Sequence, residues 1–312
     1  MIFAGNISNA PGLQWAARSY SDQTFRNYSR IFSNFIKFLV NLNIPVILPA
    51  TTSTLIAFIS HLHTGGKKHS TISSYLSAIG TFHKLLYDTD PTKSFLVVRS
   101  LLGLKKSSPP NLGLLPIRFN LLIKVIQALQ RSKLDNFLQL MTKAIFLLAY
   151  HGCFRIGELV WSQSAQHTLS LSQVTFNQSP KSVTLTLPSF KHSVDPVEII
   201  IPSSSPHCPV GALEDYLDVR PRGKGPLFLK PNGDPVKRED VVKTLKDTLT
   251  LLVPDTSRYN THSFRIGRTT DLVSLGTPDS VIRETGRWRS DAFKSYIKSS
   301  AIVVPEPPSV RE

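Results

Sequence analysis

The sequence predicts a mainly α-helical chain of two domains, with a small β element in the second. Three observations carry this. Apolar residues recur at three- and four-residue steps over most of the 312 positions, the mark of helices that bury one face. One stretch, VTLTLPSFKHSVDPVEIII (183–201), splits into two β-rich runs around a turn and reads as a hairpin. A third, KKSSPPNLGLLP (105–116), holds two adjacent prolines, a glycine and serines and reads as a linker. The length suits two separate cores. A chain 41 % hydrophobic and 18 % charged is composed as a folded protein rather than a disordered one.

Taken in order, residues 1–13 are polar and bear proline and glycine, and are expected to be flexible. Residues 14–104 form the first domain. Its long first helix is marked by Phe25, Tyr28, Ile31, Phe32, Phe35, Phe38, Leu39 and Leu42. Thr52–Leu62 and Thr71–Tyr87 repeat the pattern, and a shorter apolar run at Phe95–Leu104 closes an all-α bundle of four helices. After the linker, residues 117–304 form the second domain. It opens with helices at Arg118–Leu129 and Asn136–Tyr150, followed by the hairpin, whose turn holds Lys191, His192 and Asp195. Pro202–Pro209 is a polar loop. Helical patterns return at Val210–Leu217, Lys237–Leu252, Ser263–Leu275, Pro278–Thr285 and Asp291–Ser299. Residues 305–312 are too rich in proline to continue a helix and are expected to be a disordered tail.

Net charge is +15 with a pI near 9.9, and it is unevenly produced. Residues 1–110 hold eleven Lys or Arg against three Asp, and the first glutamate of the chain is Glu158. Such a surface seeks a polyanion, and nucleic acid is the leading candidate. The two cysteines, Cys153 and Cys208, form no CxxC pair and no zinc spacing. They fit a reducing compartment. No signal peptide is evident, and no segment reaches the ~20 apolar residues of a membrane span. A soluble, intracellular protein is expected.

Four short stretches hold groups suited to phosphodiester chemistry. AYHGCFRIGEL sets Arg155 and Glu158 three residues apart after an apolar helix. The hairpin turn offers Lys191. THSFRIG places His262 and Arg265 three apart, on one helix face. GRWRSDAFKSYIK holds Trp288 and Tyr296, with Arg287, Arg289, Lys294 and Lys298 around the tyrosine. Two guanidiniums can grip non-bridging oxygens and neutralise charge that grows in the transition state. A tyrosine can attack phosphorus, dividing one hard step into two easier ones. A lysine or histidine can protonate the leaving sugar oxygen, and an indole N–H can donate a further hydrogen bond.

The ordered set Arg…Lys…His-x-x-Arg…Trp…Tyr resembles the catalytic signature of the tyrosine recombinase (phage integrase) superfamily. The wording G-x-x-R-I-G-E-L, H-S-F-R-I-G and G-R-W-x-S-D-A-F-x-x-Y-I is most similar to recombinases of eukaryotic mobile elements, the DIRS-like and Crypton-like groups. The resemblance implies a SAM-like, all-α core-binding domain and an α+β catalytic domain that close on duplex DNA as a clamp. It implies cutting and rejoining of DNA through a 3′-phosphotyrosine link, by paired or fourfold copies of the chain, with neither metal, ATP nor another cofactor. Arg155 and Arg265 are then the phosphate-binding arginines, Lys191 the general acid for the 5′-oxygen, and Tyr296 the nucleophile. His262 hydrogen-bonds the phosphate and assists proton transfer, Trp288 stands where relatives carry histidine or tryptophan, and Glu158 is the supporting acid. Nuclear residence follows if the origin is a eukaryotic mobile element; otherwise the expectation is cytoplasm or nucleoid.

Each residue also has an ordinary explanation. Taken alone, Arg155–Glu158 reads first as an exposed helix ion pair worth ~0.3–0.5 kcal/mol, a reading the other motifs weigh against. Trp288 and Tyr296 read as core aromatics, and Cys153 as a small buried filler. Lys181 competes with Lys191, but it precedes the first run of the hairpin. Lys67, Lys68, Lys105, Lys106, Arg287 and Arg289 are candidate DNA contacts that set affinity and salt dependence rather than sequence. Two other functions stay open: a catalytically silent DNA-binding protein derived from a mobile element, and relaxation of DNA in the manner of a type IB topoisomerase. No carboxylates group as a metal pair needs, and there is no phosphate-binding P-loop.

Overall fold

The structure, a computed structural model, describes residues 11–109, 112–161, 168–188 and 195–296. Contacts divide the chain into two compact units that meet between Asn111 and Leu112. Both are mainly helical, and among the described residues the second holds a three-stranded sheet. Among the described residues, no helix is long and apolar enough to cross a membrane.

The first unit holds α1 (Pro11–Arg18), α2 (Asp22–Asn41), α3 (Thr52–Thr64), α4 (His69–Tyr87) and α5 (Phe95–Ser107). Ser21 and Thr51 cap α2 and α3, each side chain accepting the N–H three residues on. The periodic residues of α2 turn inward: Ile31, Phe32, Phe35, Phe38 and Leu39 are buried. Phe32 stacks on Phe82 of α4 at 4.7 Å, and Phe35 meets Phe58 of α3 edge-on at 5.1 Å. One polar ring is built into this core. His83 donates Nδ1–H to the Ile79 carbonyl at 2.8 Å and accepts the Ala50 N–H on Nε2 at 2.9 Å, so it joins α4 to the chain entering α3.

Two expectations change here. A helix starts at Pro11, inside the stretch read as flexible, because proline is well suited to a first helical turn. The last helix runs to Ser107 rather than Leu104. Lys105 and Lys106 therefore lie in its final turn, exposed, where cations favour the helix dipole.

The second unit is built on α7 (Asn136–His151), whose residues from Ala144 to Tyr150 are all buried. Around it lie α6 (Phe119–Gln130), α8 (Ile156–Leu159), α9 (Pro209–Val219), α10 (Arg238–Leu249), α11 (His262–Ser274) and α12 (Asp279–Thr285). Three antiparallel strands, β1 (Val174–Gln178), β2 (Lys181–Leu187) and β3 (Val197–Pro202), form the sheet with β2 in the middle. Val174 faces Leu185, and Val183 faces Ile201. Val183, Leu185 and Leu187 alternate into the core, as a strand with one buried face requires.

The expected hairpin is thus two strands of a three-stranded sheet. The extra strand is only five residues long and ends in Asn177 and Gln178, too short and polar to show an alternation. Lys181 corrects the reading too. It begins the middle strand and binds Glu214 at 2.8 Å. Leu187 ends that strand, about 20 Å from Lys181 at strand rise. Lys191 itself lies outside the described residues, as do Lys298 and residues 305–312.

The last element, expected as an α-helix over Asp291–Ser299, is a 3₁₀ helix over Asp291–Tyr296. Three residues per turn bring positions i and i+3 onto one side. That side is Phe293 and Tyr296, whose rings lie 5.8 and 5.9 Å from Trp288.

Candidate active site

The site begins where α7 ends. After His151 the chain turns sharply through Gly152 and Cys153 into α8. Cys153 is fully buried and left-handed, with φ of +48°, a conformation uncommon outside glycine, asparagine and aspartate. The turn brings two carbonyls within reach of guanidinium groups from the far end of the chain. Arg265 of α11 donates to the Cys153 carbonyl at 2.5 Å, and Arg287 donates to the same oxygen at 3.3 Å and to Gly152 at 3.1 Å. Cys153 is therefore more than a filler, since its backbone oxygen orients two cations.

Arg155 precedes α8, and Glu158 closes its first turn. The Glu158 carboxylate accepts the Arg155 backbone N–H at 2.9 Å, the return half of a capping box. It also binds the Arg155 guanidinium at 3.0 Å and that of Arg287 at 2.8 Å. Burial alone would raise the Glu158 carboxyl, but Arg287 and then Arg155 outweigh it and hold it below its ordinary value. Arg155 remains 28 % exposed while Glu158 and Arg287 are each 5 % exposed. The exposed-ion-pair reading of Arg155 and Glu158 therefore fails.

Arg287 is the main correction. Expected as a DNA contact beside the tyrosine, it lies buried beneath the site with a left-handed backbone. Its guanidinium sits over Phe154 at 5.1 Å and faces Glu158. A lone buried glutamate flanked by one partly exposed arginine calls for a second cation. That was the available signal, but nothing local to Arg287 separates it from its basic neighbours. Lys294 is likewise committed, pairing with Asp279 and Asp291 at 3.1 Å. Arg289, Lys67, Lys68, Lys105 and Lys106 are exposed.

α11 supplies His262 and Arg265. Arg265 is fully buried, and besides the Cys153 carbonyl it donates to that of Gly286. Its guanidinium lies 4.3 Å from the centre of the Trp288 ring, a cation–π contact. Gly286 makes this possible: a Cβ there would lie 1.6 Å from the indole. Burial pulls Arg265 down to about 10, so it stays charged at neutral pH. Its Nε has no hydrogen-bond partner among the described residues, and no carboxylate pairs with it there.

His262 meets the ring of Tyr296 edge-on at 5.2 Å. Burial, and then the nearby Arg265 and Arg155, bring the imidazole down to about 4, so it is neutral at pH 7. Tyr296 thus stands between His262 and Trp288. A continuous path of contacts runs Arg155, Glu158, Arg287, Cys153, Arg265, Trp288, Tyr296, His262. Six of the seven predicted site residues lie on it, the seventh being Lys191. With His262 neutral, this path carries three guanidiniums and one carboxylate, a surplus of two positive charges, and it reaches Tyr296 through the Trp288 and His262 rings.

Residues 14–90 match the family model described as phage integrase, N-terminal SAM-like domain. No curated protein matches the chain in sequence. The chain is similar in structure to the Tn1549 transposon integrase in complex with a circular intermediate DNA. The TM-score is 0.66 at 13 % identity, over 96 % of this chain and 94 % of that one. It is similar to a lambda integrase dimer bound to a COC′ core site, with a TM-score of 0.61 at 14 % identity over 95 % and 77 % of the two chains. It is also similar to XerH site-specific recombinase bound to a palindromic difH substrate in a post-cleavage complex. There the TM-score is 0.61 at 15 % identity, over 86 % and 73 %. At these identities the likeness is one of fold.

Proposed function

We propose that this chain, which has the fold of the tyrosine recombinase superfamily, is a DNA strand transferase that cuts and rejoins duplex DNA through Tyr296. The observation that carries the reading is one connected cluster with a surplus of two positive charges, joined through Trp288 to a tyrosine that also meets His262. A phosphodiester carries one negative charge, and attack by a phenolate brings a second to the pentacoordinate transition state. Arg155 and Arg265 would each grip a non-bridging oxygen there, and the unpartnered Nε of Arg265 is a donor still available for it.

In the forward step the Tyr296 oxygen bonds to phosphorus and the bond from phosphorus to the 5′-oxygen breaks. Neutral His262, in ring contact with the phenol, accepts its proton. Lys191 would return a proton to the 5′-oxygen; that role rests on the resemblance of sequence alone. The phosphotyrosyl ester keeps the energy of the broken diester, so a 5′-hydroxyl from a second duplex can reverse the step and complete an exchange. The Tn1549 integrase is described as in complex with a circular intermediate DNA, lambda integrase as a dimer bound to a core site, and XerH as bound to a difH substrate. The basic first unit and a pair or tetrad of copies would supply binding and site pairing.

The test uses wild type and Tyr296→Phe with supercoiled plasmid carrying the gene's own flanks, in EDTA, quenched with SDS. A protein–DNA adduct that survives SDS, is removed by protease and is absent in Tyr296→Phe supports the reading. Recombinant products separate strand exchange from mere relaxation. Adduct persisting in Tyr296→Phe overturns the nucleophile assignment. Binding without adduct in wild type turns the reading to a silent DNA-binding protein.

A further inference from the structure

We infer that the second unit holds another anion site, one turn further along α11, built to take a phosphate group. Between the start of α6, the end of α7 and α11 lies a cavity of about 720 Å³, well within the range of small-ligand sites. Its described lining holds Arg118, Lys124 and Arg268 against one carboxylate, Asp271. The oxygens of Asp271 are already committed. Oδ1 accepts from Arg118 at 2.6 Å, and Oδ2 accepts the Phe119 N–H at 2.8 Å and the Tyr150 hydroxyl at 2.5 Å. Asp271 therefore balances Arg118. Arg268 and Lys124 form no ion pair among the described residues, which leaves the cavity a surplus of two positive charges.

The wall also holds polar atoms without a use. His151 Nε2, Arg268 Nε and Ser204 Oγ are buried and have no hydrogen-bond partner among the described residues. A buried polar atom left without a partner is costly, and three gathered at one cavity wall are a set of groups awaiting a partner. The guanidinium of Arg268 is positioned by the Tyr150 ring, 5.6 Å from its centre. A guanidinium, an ammonium, a hydroxyl and an imidazole arriving from separate elements suit a tetrahedral group with several oxygens and one or two negative charges. The room beyond the charged wall, bordered by Phe119, Leu121 and Leu275, exceeds what inorganic phosphate fills. The phosphate would therefore be borne by a larger body, either the DNA backbone or a small phosphorylated molecule.

This site is separate from Arg155 and Tyr296, and its test does not depend on the strand-transfer reading. Thermal unfolding is followed while inorganic phosphate replaces chloride at constant ionic strength, in wild type, Arg268→Gln, Lys124→Gln and Lys133→Gln. Lys124 is exposed, so its variant folds even if Arg268→Gln does not. The wild-type midpoint should rise saturably. Either cavity variant should weaken phosphate by about tenfold, the worth of one charge-assisted hydrogen bond, while Lys133→Gln, an exposed cation that does not line the cavity, keeps the response. Duplex binding between 50 and 200 mM salt then identifies the source. A slope shallower by about one in Lys124→Gln or Arg268→Gln names the DNA backbone, and an unchanged slope names a free phosphorylated ligand. A wild-type midpoint indifferent to phosphate, or one that rises equally in both cavity variants, overturns the proposal.

Discussion

Glu158 and Arg287 should prove strongly coupled, and the size of the coupling follows from their surroundings. Both side chains are 5 % exposed and meet at 2.8 Å. Glu158→Ala leaves the Arg287 guanidinium buried beside the carbonyls of Gly152 and Cys153 with no carboxylate. Breaking a buried pair from one side costs ~3–5 kcal/mol, chiefly because the abandoned charge stays desolvated. The exposed half of the network, Arg155, adds ~1 kcal/mol or less, so Glu158→Ala should cost about 4 kcal/mol. Arg287→Met strands Glu158, but Arg155 still faces it, so the expected cost is about 3 kcal/mol. The double variant buries neither charge and should cost about 4 kcal/mol rather than about 7, a coupling of about 3 kcal/mol. Urea midpoints at unchanged slope, read by far-ultraviolet circular dichroism, measure all four corners. Single costs that add to within ~0.5 kcal/mol would refute the buried-pair argument.

Other outcomes follow from the same geometry. Cys153→Gly should change stability by less than ~1 kcal/mol, since glycine accepts φ of +48°. Cys153→Val should lose ~2 kcal/mol or more, because a branched Cβ resists that conformation, and equal urea midpoints for the two variants would refute it. His151 and His262 both fall to about 4, burial being the first cause in each, so the unfolded chain binds protons between pH 6.5 and 4 that the fold refuses. Stability should be full above pH 6.5 and fall as pH drops toward 4. The full shift would be ~3 kcal/mol per ring, reduced by partial exposure to ~1–2; a urea midpoint equal at pH 7.5 and 5 would refute this. Gly286→Ala should push the Trp288 indole off Arg265, red-shifting its fluorescence and lowering adduct yield at least tenfold while the fold persists.

The helices were readable because each buries one face against a core within its own unit. Phe32, Phe35 and Leu39 recur on α2 because that face meets α3 and α4, and the recurrence is visible without knowing the partner. Elements defined by a distant partner were not readable. β1 exists because β2 offers it a ladder, and its own five residues hardly alternate. The 3₁₀ geometry at Asp291–Tyr296 depends on Trp288 receiving two rings at once. At the candidate site, residue types and spacings pointed to Arg155, His262, Arg265, Trp288 and Tyr296, because the chemistry demands particular groups, and the sequence resemblance added Glu158. The role of Arg287 was hidden, because whether a cation serves solvent, DNA or a buried carboxylate depends on what lies 129 residues away.

That difference bears on how the site keeps its charge. A buried guanidinium is most simply held by a carboxylate, but a carboxylate cancels the charge a phosphate would need. The single acid is spent mainly on Arg287, which is buried and faces no substrate. Arg265 is instead held by two neutral backbone oxygens, from Cys153 and Gly286, and by the Trp288 ring. These orient it without neutralising it, and the left-handed turn at Cys153 aims one of them. Replacing Cys153 by a residue that straightens the turn should therefore loosen Arg265 and Arg287 together. Phosphate binding should then suffer together with stability, because Arg265 loses one of its two carbonyl anchors, although Arg287 keeps its bond to Glu158.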